Sequence, residues 1–423
     1  IIKGDRAMNQ NIYKVNRENL LNKIKDNSIV ILFAGKAVQK TGDQTYPFTP
    51  NRNFYYLTGI KEEDHILVMS KINGIKTSKL YIKDIDLELE KWVGKSIRKE
   101  EASKLTEVDE VKFKSQFDAD IHGMITMKEE VNLYLDLEKM SANREGTISH
   151  RFANEIVIKY PQVRINNIYS KIGELRLIKS QEEVEKIKKA IEITKSGIER
   201  LMTEARVGMK EYELEAYFDF NCKVKGATGL AFTTIAAAGK NATTLHYIDN
   251  NSELKENDLI LFDLGAEYNC YNADISRTFP VSGKFTERQK EVYNSVLKVN
   301  EEIIKLIKPG MKYKDVNEKA TDLIAEECIK LGLIEDKKDV RKYYYHSIGH
   351  SLGMDTHDIE TPHRDITFEP GVVFTVEPGI YIEEEGIGIR IEDDILVTED
   401  GVINLSSDII KSVDDIEEFM KKI

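Results

Sequence analysis

Two short stretches of this 423-residue chain echo one another, and the echo limits the fold more than any other feature. Val207-Gly208-Met209-Lys210 and Pro309-Gly310-Met311-Lys312 each sit between two segments of helical periodicity. The first pair of helices covers 181–204 and a segment from Glu211. The second covers 286–307 and a segment from Lys314. An apolar strand follows each pair and carries an acid two residues before a glycine: Leu261-Phe262-Asp263-Leu264-Gly265, then Thr375-Val376-Glu377-Pro378-Gly379. An ancestral duplication accounts for this most economically. It predicts two helix–helix–hairpin units in one α+β domain.

The first of these helices has its start written in the sequence. Ser180 is placed to cap it and Glu183 to reach back, the reciprocal arrangement of a capping box. Val184, Ile187, Ala190, Ile191, Thr194, Ile198 and Leu201 then fall on one face.

A chain of this length exceeds one ordinary core, so a second domain is expected ahead of the duplication. Residues 11–27 read as a helix and 28–34 as a buried strand. Strands follow at 66–69 and 79–82, and helices at 87–92 and 96–105. Strand and helix alternate to about Pro161, which predicts an α/β domain over 8–168 and leaves 169–423 for the duplicated domain. Ile1 to Ala7 precede Met8 and are read as an expression scar outside both. The aromatic cluster within Asn51-Arg52-Asn53-Phe54-Tyr55-Tyr56-Leu57-Thr58-Gly59, and Trp92, the only tryptophan, are assigned to the small domain's core. His65 and His122 stand alone and are read as structural or exposed.

Charge and cysteine usage narrow the partners. The formal net charge of −12 repels nucleic acid and anionic membrane surfaces, so neither is expected. Apolar runs are strand-length rather than membrane-length, and no signal-peptide pattern opens the chain. Cys222, Cys270 and Cys328 are far apart, odd in number and without a CxxC, which suits a reducing cytoplasm and argues against a zinc–thiolate site.

The chemistry gathers in the C-terminal half. Residues 258–267 and 270–281 read as a hairpin turning at Tyr268-Asn269, which sets Asp263 opposite Asp274. A second hairpin turning near Glu384-Glu385-Gly386 sets Glu377 opposite Glu392. Cross-strand partners lie roughly 4.5–5.5 Å apart at Cβ on one face. Two carboxylates so close do not both ionise cheaply without a cation between them. Their neighbours Leu261, Phe262, Leu264, Ile275, Val376 and Ile391 argue against a plain solvated face. Between the hairpins lies His346-Ser347-Ile348-Gly349-His350-Ser351-Leu352-Gly353, whose two imidazoles at i and i+4 would share a helical face and could both bind metal. Four carboxylates and imidazole nitrogen suit two divalent ions about 3.5–4 Å apart. The hard oxygen set tilts the choice to Mn²⁺, with Zn²⁺ or Co²⁺ as alternatives. Such a pair makes water nucleophilic near neutral pH, and a carboxylate can carry its proton to a leaving amine. That is equipment for peptide or amide hydrolysis without a covalent nucleophile.

The ordered set Asp263, Asp274, His350, Glu377 and Glu392 resembles that of the pita-bread metallopeptidases, which include methionine aminopeptidase, prolidase and aminopeptidase P. The stretch from His346 through Gly353-Met354-Asp355-Thr356-His357-Asp358 is similar to the proline-specific branch, as are Thr375 to Tyr381 and Gly388-Ile389-Arg390-Ile391-Glu392-Asp393. Asn51 to Gly59 and Trp92-Val93-Gly94 resemble the aminopeptidase P N-terminal domain, and Glu174 to Glu183 the start of its catalytic domain. The resemblance implies a pita-bread catalytic domain and activity on the N-terminal Xaa-Pro bond. It implies that Asp263 and Asp274 bind one metal, that Asp274 also reaches the second, that His350 and Glu377 complete the second, and that Glu392 bridges. Glu377 would be the proton shuttle for a metal-bridging hydroxide. His246 would contact the scissile amide, and His357 would line the site beyond it. His346 would stand beside the substrate without binding metal, with Arg390 and Tyr381 orienting the ligands. Trp92 matches a residue that reaches a neighbouring subunit's site in oligomeric relatives, which implies a homodimer or homotetramer.

An Xaa-Pro bond has no N–H, so a site for it needs an apolar slot for the ring and an acidic rim for the free N-terminus. The Phe54 to Gly59 segment favours aminopeptidase P over an Xaa-Pro dipeptidase. A creatinase-like hydrolase or a non-catalytic binding module would lack ligands that are all present here.

Overall fold

The computed structural model describes residues 11–138, 141, 143, 145–358 and 366–421. The residues read as an expression scar lie outside that set. Contacts group Asp5–Arg176 into one compact unit and Leu177–Ile423 into another.

The N-terminal unit is built on β1 (Ser28–Phe33), all six residues of which are buried. With β2 (Ile66–Ile72), β3 (Ile75–Ile82), β4 (Glu110–Phe113), β5 (Val131–Leu135) and β6 (Val163–Asn167) it forms one sheet in the order β4-β3-β2-β1-β5-β6. β1 runs antiparallel to β2 and parallel to β5. The aromatic cluster is a short helix, Arg52–Thr58. The Asn51 side chain accepts from the Phe54 N–H at 2.8 Å to start it, and Gly59 ends it in the left-handed region at φ 71°. Phe54, Tyr55, Tyr56 and Leu57 are all buried. The first helix is shorter than its periodicity suggested and stops at Asn22. Trp92 corrects the expectation of a core residue. Its helix, Leu87–Val93, has no buried residue and Trp92 itself is 86% exposed.

The C-terminal unit carries the two echoing halves. Helix Gln181–Glu204 begins with the expected box, the Ser180 hydroxyl and the Glu183 carboxylate bonding reciprocally to backbone N–H groups. Gly208 and Gly310 both adopt positive φ, 89° and 90°, where a side chain would be strained. Each then makes the same pattern. The Gly208 N–H donates to Leu254 O, and the Leu254 N–H returns to Met209 O. The Gly310 N–H donates to Phe368 O, and the Phe368 N–H returns to Met311 O. Two residues past each methionine, the Glu211 and Tyr313 N–H groups donate to Ser252 O and Ile366 O. Each glycine thus tethers the turn between its two helices to a later segment that leads toward that half's acid-bearing strand.

The first hairpin differs from expectation in register. Leu259–Leu264 pairs with Ile275–Pro280 so that Asp263 faces Ser276, and Tyr268 faces Tyr271. The turn is therefore Asn269-Cys270, both at positive φ. A two-residue hairpin turn of this type I′ form needs the left-handed region at both centres, and asparagine accepts it more readily than tyrosine does. Because the slip is two residues, side-chain facing is preserved. Asp274 stays on the face of Asp263 but lies diagonal to it. The second hairpin keeps the expected register, since Val376↔Asp393 and Gly379↔Arg390 bracket Glu377 and Glu392.

Candidate metal centre and active site

The hairpins and the His346–Gly353 stretch meet at a cavity of about 720 Å³ lined by all four carboxylates and by His246, His346, His350 and His357. Ligand-capable atoms of Asp274, His350 and Glu392 lie within 4.8 Å of one another. His350 Nε2 is 3.3 Å from Asp274 Oδ2 and 3.8 Å from Glu377 Oε1. Its other ring nitrogen lies 3.1 Å from Ser351 O. A carbonyl only accepts, so that nitrogen carries a proton, and Nε2 faces the carboxylates, donating to Asp274 when protonated and offering its lone pair to a metal when not.

The segment holding His346 and His350 is not helical, so an i, i+4 argument does not apply to it. It runs against the second hairpin instead. The His350 N–H donates to Thr375 Oγ1, the Thr375 N–H returns to His350 O, and the Glu377 N–H donates to Ile348 O. Gly349 is required by this approach, because a Cβ there would sit 2.0 Å from Thr375 O. His346 also approaches Glu377, with Nδ1 3.8 Å from Oε2, but both of its ring nitrogens are engaged elsewhere. Its Nδ1 lies against Ser347 O at 2.8 Å and its Nε2 against the Tyr381 hydroxyl at 2.8 Å.

Arg390 is the hub behind the carboxylates. Its guanidinium donates to Asp263 Oδ2 at 2.6 Å, Ser276 Oγ at 2.7 Å and the Tyr381 hydroxyl at 3.1 Å. Ser276 in turn donates to Glu392 Oε2 at 2.8 Å. Asp263 Oδ1 is buried with no hydrogen-bond partner. His357 packs edge-on to His350, with ring centroids 4.2 Å apart. Its loop is pinned by a fully buried pair, Lys179 Nζ to Asp358 Oδ2 at 2.9 Å. Sequence reasoning overlooked Ser276, Thr375, Lys179 and Asp394, whose carboxylate accepts from the Asp274 N–H. For Ser276 a signal existed, since it lies two residues past Asp274 on the same strand face.

The electrostatics follow from burial. Burial pushes the Asp274 carboxyl up to about 6 and that of Glu377 up to about 7. It lifts Glu392 well above the carboxylate range, with the neighbouring carboxylates adding to the push. Burial pulls the His350 imidazole down, but the hydrogen bond to Asp274 and the charges of Asp274 and Glu377 outweigh it and raise it to about 9. Burial, with Arg390 adding, holds His346 down at about 3. Burial, with His350 and His246 adding, holds His357 down at about 4. Both are neutral at working pH. One guanidinium faces four converging carboxylates, and one carboxylate oxygen is orphaned. The residues therefore fit divalent cations.

The wall of the cavity includes Phe232, Ile235, Leu245 and Ile248, an apolar surface of the kind expected for a ring. Among the described residues, the acids lining the cavity are the four carboxylates themselves.

Comparison with known proteins places this geometry. The sequence model of Metallopeptidase family M24 matches residues 185–399, and that of the Aminopeptidase P, N-terminal domain matches residues 13–134. The chain is 33% identical to the Xaa-Pro aminopeptidase of Escherichia coli, with 96% of each chain covered. It is also 33% identical to human Xaa-Pro aminopeptidase 3, covering 93% of this chain and 80% of that protein. Among solved structures, a Bacillus anthracis protein assigned as an aminopeptidase P superposes with a TM-score of 0.95 at 48% identity over 97% of this chain and 98% of the other. The zinc-substituted aminopeptidase P of E. coli in complex with product superposes with a TM-score of 0.89 at 32% identity over 97% and 98%.

Proposed function

The chain belongs to metallopeptidase family M24, and from that premise we propose how it works as a metal-dependent Xaa-Pro aminopeptidase. The observation that carries the reading is the convergence of Asp274, His350 and Glu392 within 4.8 Å, in one cavity with Asp263, Glu377, His246 and His357.

In this reading Asp263 and Asp274 would hold one divalent ion, Asp274, His350 and Glu377 would hold the second, and Glu392 would serve both. The oxygen-rich donor set favours Mn²⁺, with Zn²⁺ or Co²⁺ acceptable. When bound, such a pair supplies Lewis acidity that lowers the pKa of water and polarises the scissile carbonyl. Glu377 takes the proton of the attacking water on its carboxylate and returns it to the departing proline nitrogen. A carboxylate placed beside the attacking water and the leaving nitrogen is suited to both halves of that task. His246 hydrogen-bonds the substrate amide oxygen as charge develops there. His357, neutral and packed on His350, lines the product side of the bond. His346 is kept neutral beside the substrate by burial and by the Arg390 charge, and its Nε2 meets the Tyr381 hydroxyl, to which Arg390 donates. The apolar wall receives the proline ring, whose amide brings no N–H in need of a partner.

The chemistry is assigned to the domain at 169–423, and the domain at 8–168 is kept as a separate α/β body. A homodimer or homotetramer is favoured by the exposed apolar helix bearing Leu87, Trp92 and Val93. A cytoplasmic setting is favoured by three buried free cysteines. Among the described residues no helix is long and apolar enough to cross a membrane, and the acidic charge argues against nucleic acid.

The test is hydrolysis of Ala-Pro-Ala and of the dipeptide Gly-Pro, each by metal-stripped protein with and without Mn²⁺. Release of alanine from the tripeptide only when Mn²⁺ is restored is expected. Cleavage confined to the dipeptide would turn the reading to an Xaa-Pro dipeptidase.

A further inference from the structure

Glu377 and Glu392 face each other at a gap in the second hairpin. One ladder ends at Val376↔Asp393 and the next begins at Gly379↔Arg390. Within the gap each glutamate turns its backbone N–H away from the other strand. That of Glu377 goes to Ile348 O, and that of Glu392 to Ser276 O. Pro378 has no N–H to offer. A single long bond remains, the Ile391 N–H to Pro378 O at 3.3 Å. Of the two bonds that the Pro378–Ile391 pair would normally make, one is therefore missing, which leaves Ile391 O without its strand partner beside the two carboxylates whose spacing matters most.

One side chain fills that role. Asn300, fully buried on helix Glu287–Leu306, sends its Nδ2 to Val376 O at 3.1 Å and to Ile391 O at 3.3 Å. These are the carbonyls of the residues immediately preceding Glu377 and Glu392. The amide cannot serve the other way round. Its Oδ1 accepts from Lys411 Nζ at 2.9 Å, so a cation dictates which end faces the strands. Lys411 is held in turn by Asp393 Oδ2 at 2.5 Å, and Asp393 Oδ1 is held by Arg277 Nη2 at 2.7 Å. Arg277 closes the circuit by donating to Glu392 O at 2.6 Å and Ser276 O at 2.9 Å. The chain Arg277–Asp393–Lys411–Asn300 thus grips the backbone on both sides of the gap from beneath.

We propose that Asn300, oriented by Lys411, is the positioning residue that sets the separation of Glu377 and Glu392, and through it the affinity of the metal pair. The inference rests on the metal-dependent reading above. Neither residue touches metal or substrate. They act through two backbone carbonyls, where a donor amide holds the strands together and an acceptor would push them apart. Partners behind metal ligands of this kind are worth 10–100-fold in affinity.

The experiment is calorimetric titration of metal-stripped protein with Mn²⁺, for wild type, Asn300→Asp, Lys411→Met and Lys411→Arg, with a thermal melt on each. Asn300→Asp keeps the shape but presents oxygen to both carbonyls. Lys411→Met leaves the asparagine in place but frees it to flip. We expect the dissociation constant of the weaker Mn²⁺ site to rise about tenfold or more in both, and to stay within about threefold of wild type in Lys411→Arg, which keeps charge and donor. A lowered melting temperature with unchanged Mn²⁺ binding would reduce the network to scaffolding and overturn the proposal. Should Asn300→Asp fail to fold, Lys411→Met decides, because its side chain is part-exposed and its removal leaves Arg277 on Asp393. Wild-type binding of Mn²⁺ in that variant overturns the proposal as well. A wild type that takes up no Mn²⁺ would instead remove the proposed function on which it stands.

Discussion

His350 Nε2 stands 3.3 Å from Asp274 Oδ2, with the opposite ring nitrogen committed to Ser351 O. In the metal-free protein this pair, together with Glu377, binds protons more tightly than the unfolded chain does. Asp274 is raised to about 6, Glu377 to about 7 and His350 to about 9. All three shifts are upward, so the stability they contribute is complete below their unfolded values and is lost as pH rises through the folded ones. The melting temperature of metal-stripped protein is therefore expected to fall between about pH 5 and pH 9 on account of these groups. Because ligands must be deprotonated to bind, the increase in melting temperature on adding Mn²⁺ is expected to grow over the same window. Scanning calorimetry with and without Mn²⁺ checks this, and a Mn²⁺ shift that shrinks as pH rises would contradict it.

Replacing Glu377 by Gln keeps the shape and removes the proton acceptor. The expected result is a fall in kcat of roughly 10²–10⁴-fold on Ala-Pro-Ala. The metal-stripped variant is expected to melt higher than wild type at pH 8, since a buried like charge has gone. Full activity in this variant would move the proton shuttle to another group.

Arg390 serves Asp263, Ser276 and Tyr381 at once through a planar fork. Lysine carries the charge but cannot reproduce the fork. Arg390→Lys is expected to weaken Mn²⁺ binding by about 10–100-fold while remaining folded. Titration of the stripped variant measures this directly, and unchanged binding would show that charge alone suffices.

Lys179 and Asp358 are 1% and 2% exposed at the side chain. Removing Lys179 takes a buried cation away from the buried Asp358 carboxylate. Lys179→Met is expected to lower stability by about 3–5 kcal/mol, and the double variant with Asp358→Asn to recover most of that. Urea unfolding of the single and double variants tests the coupling. The loss of kcat in the single variant reports whether His357 depends on the pinned loop.

Much of this arrangement is local, and so was written in the chain. The capping box at Ser180 and Glu183 needs two residues three apart. The paired turns at Gly208 and Gly310 announce themselves by composition, and acids inside apolar strands are conspicuous wherever they occur. The register of the second hairpin followed from where its turn lies. The first hairpin misled because its turn depends on which residues tolerate left-handed backbone, and Asn269-Cys270 does not stand out against Tyr268-Asn269 in a pattern of polarity alone.

What the sequence by itself determined is the inventory: the two halves, the hydrophobic faces, and the five ligand candidates with their strand facing. Only the tertiary structure decided that these ligands converge, that Trp92 is exposed rather than core, and that Asn300, Arg277 and Lys411 grip the strands beneath the carboxylates. The physical reason is range. Periodicity and caps arise between residues a few positions apart, so they leave a pattern. A side chain that bonds two carbonyls of distant strands obeys no spacing rule, and becomes visible only when the chain has brought them together.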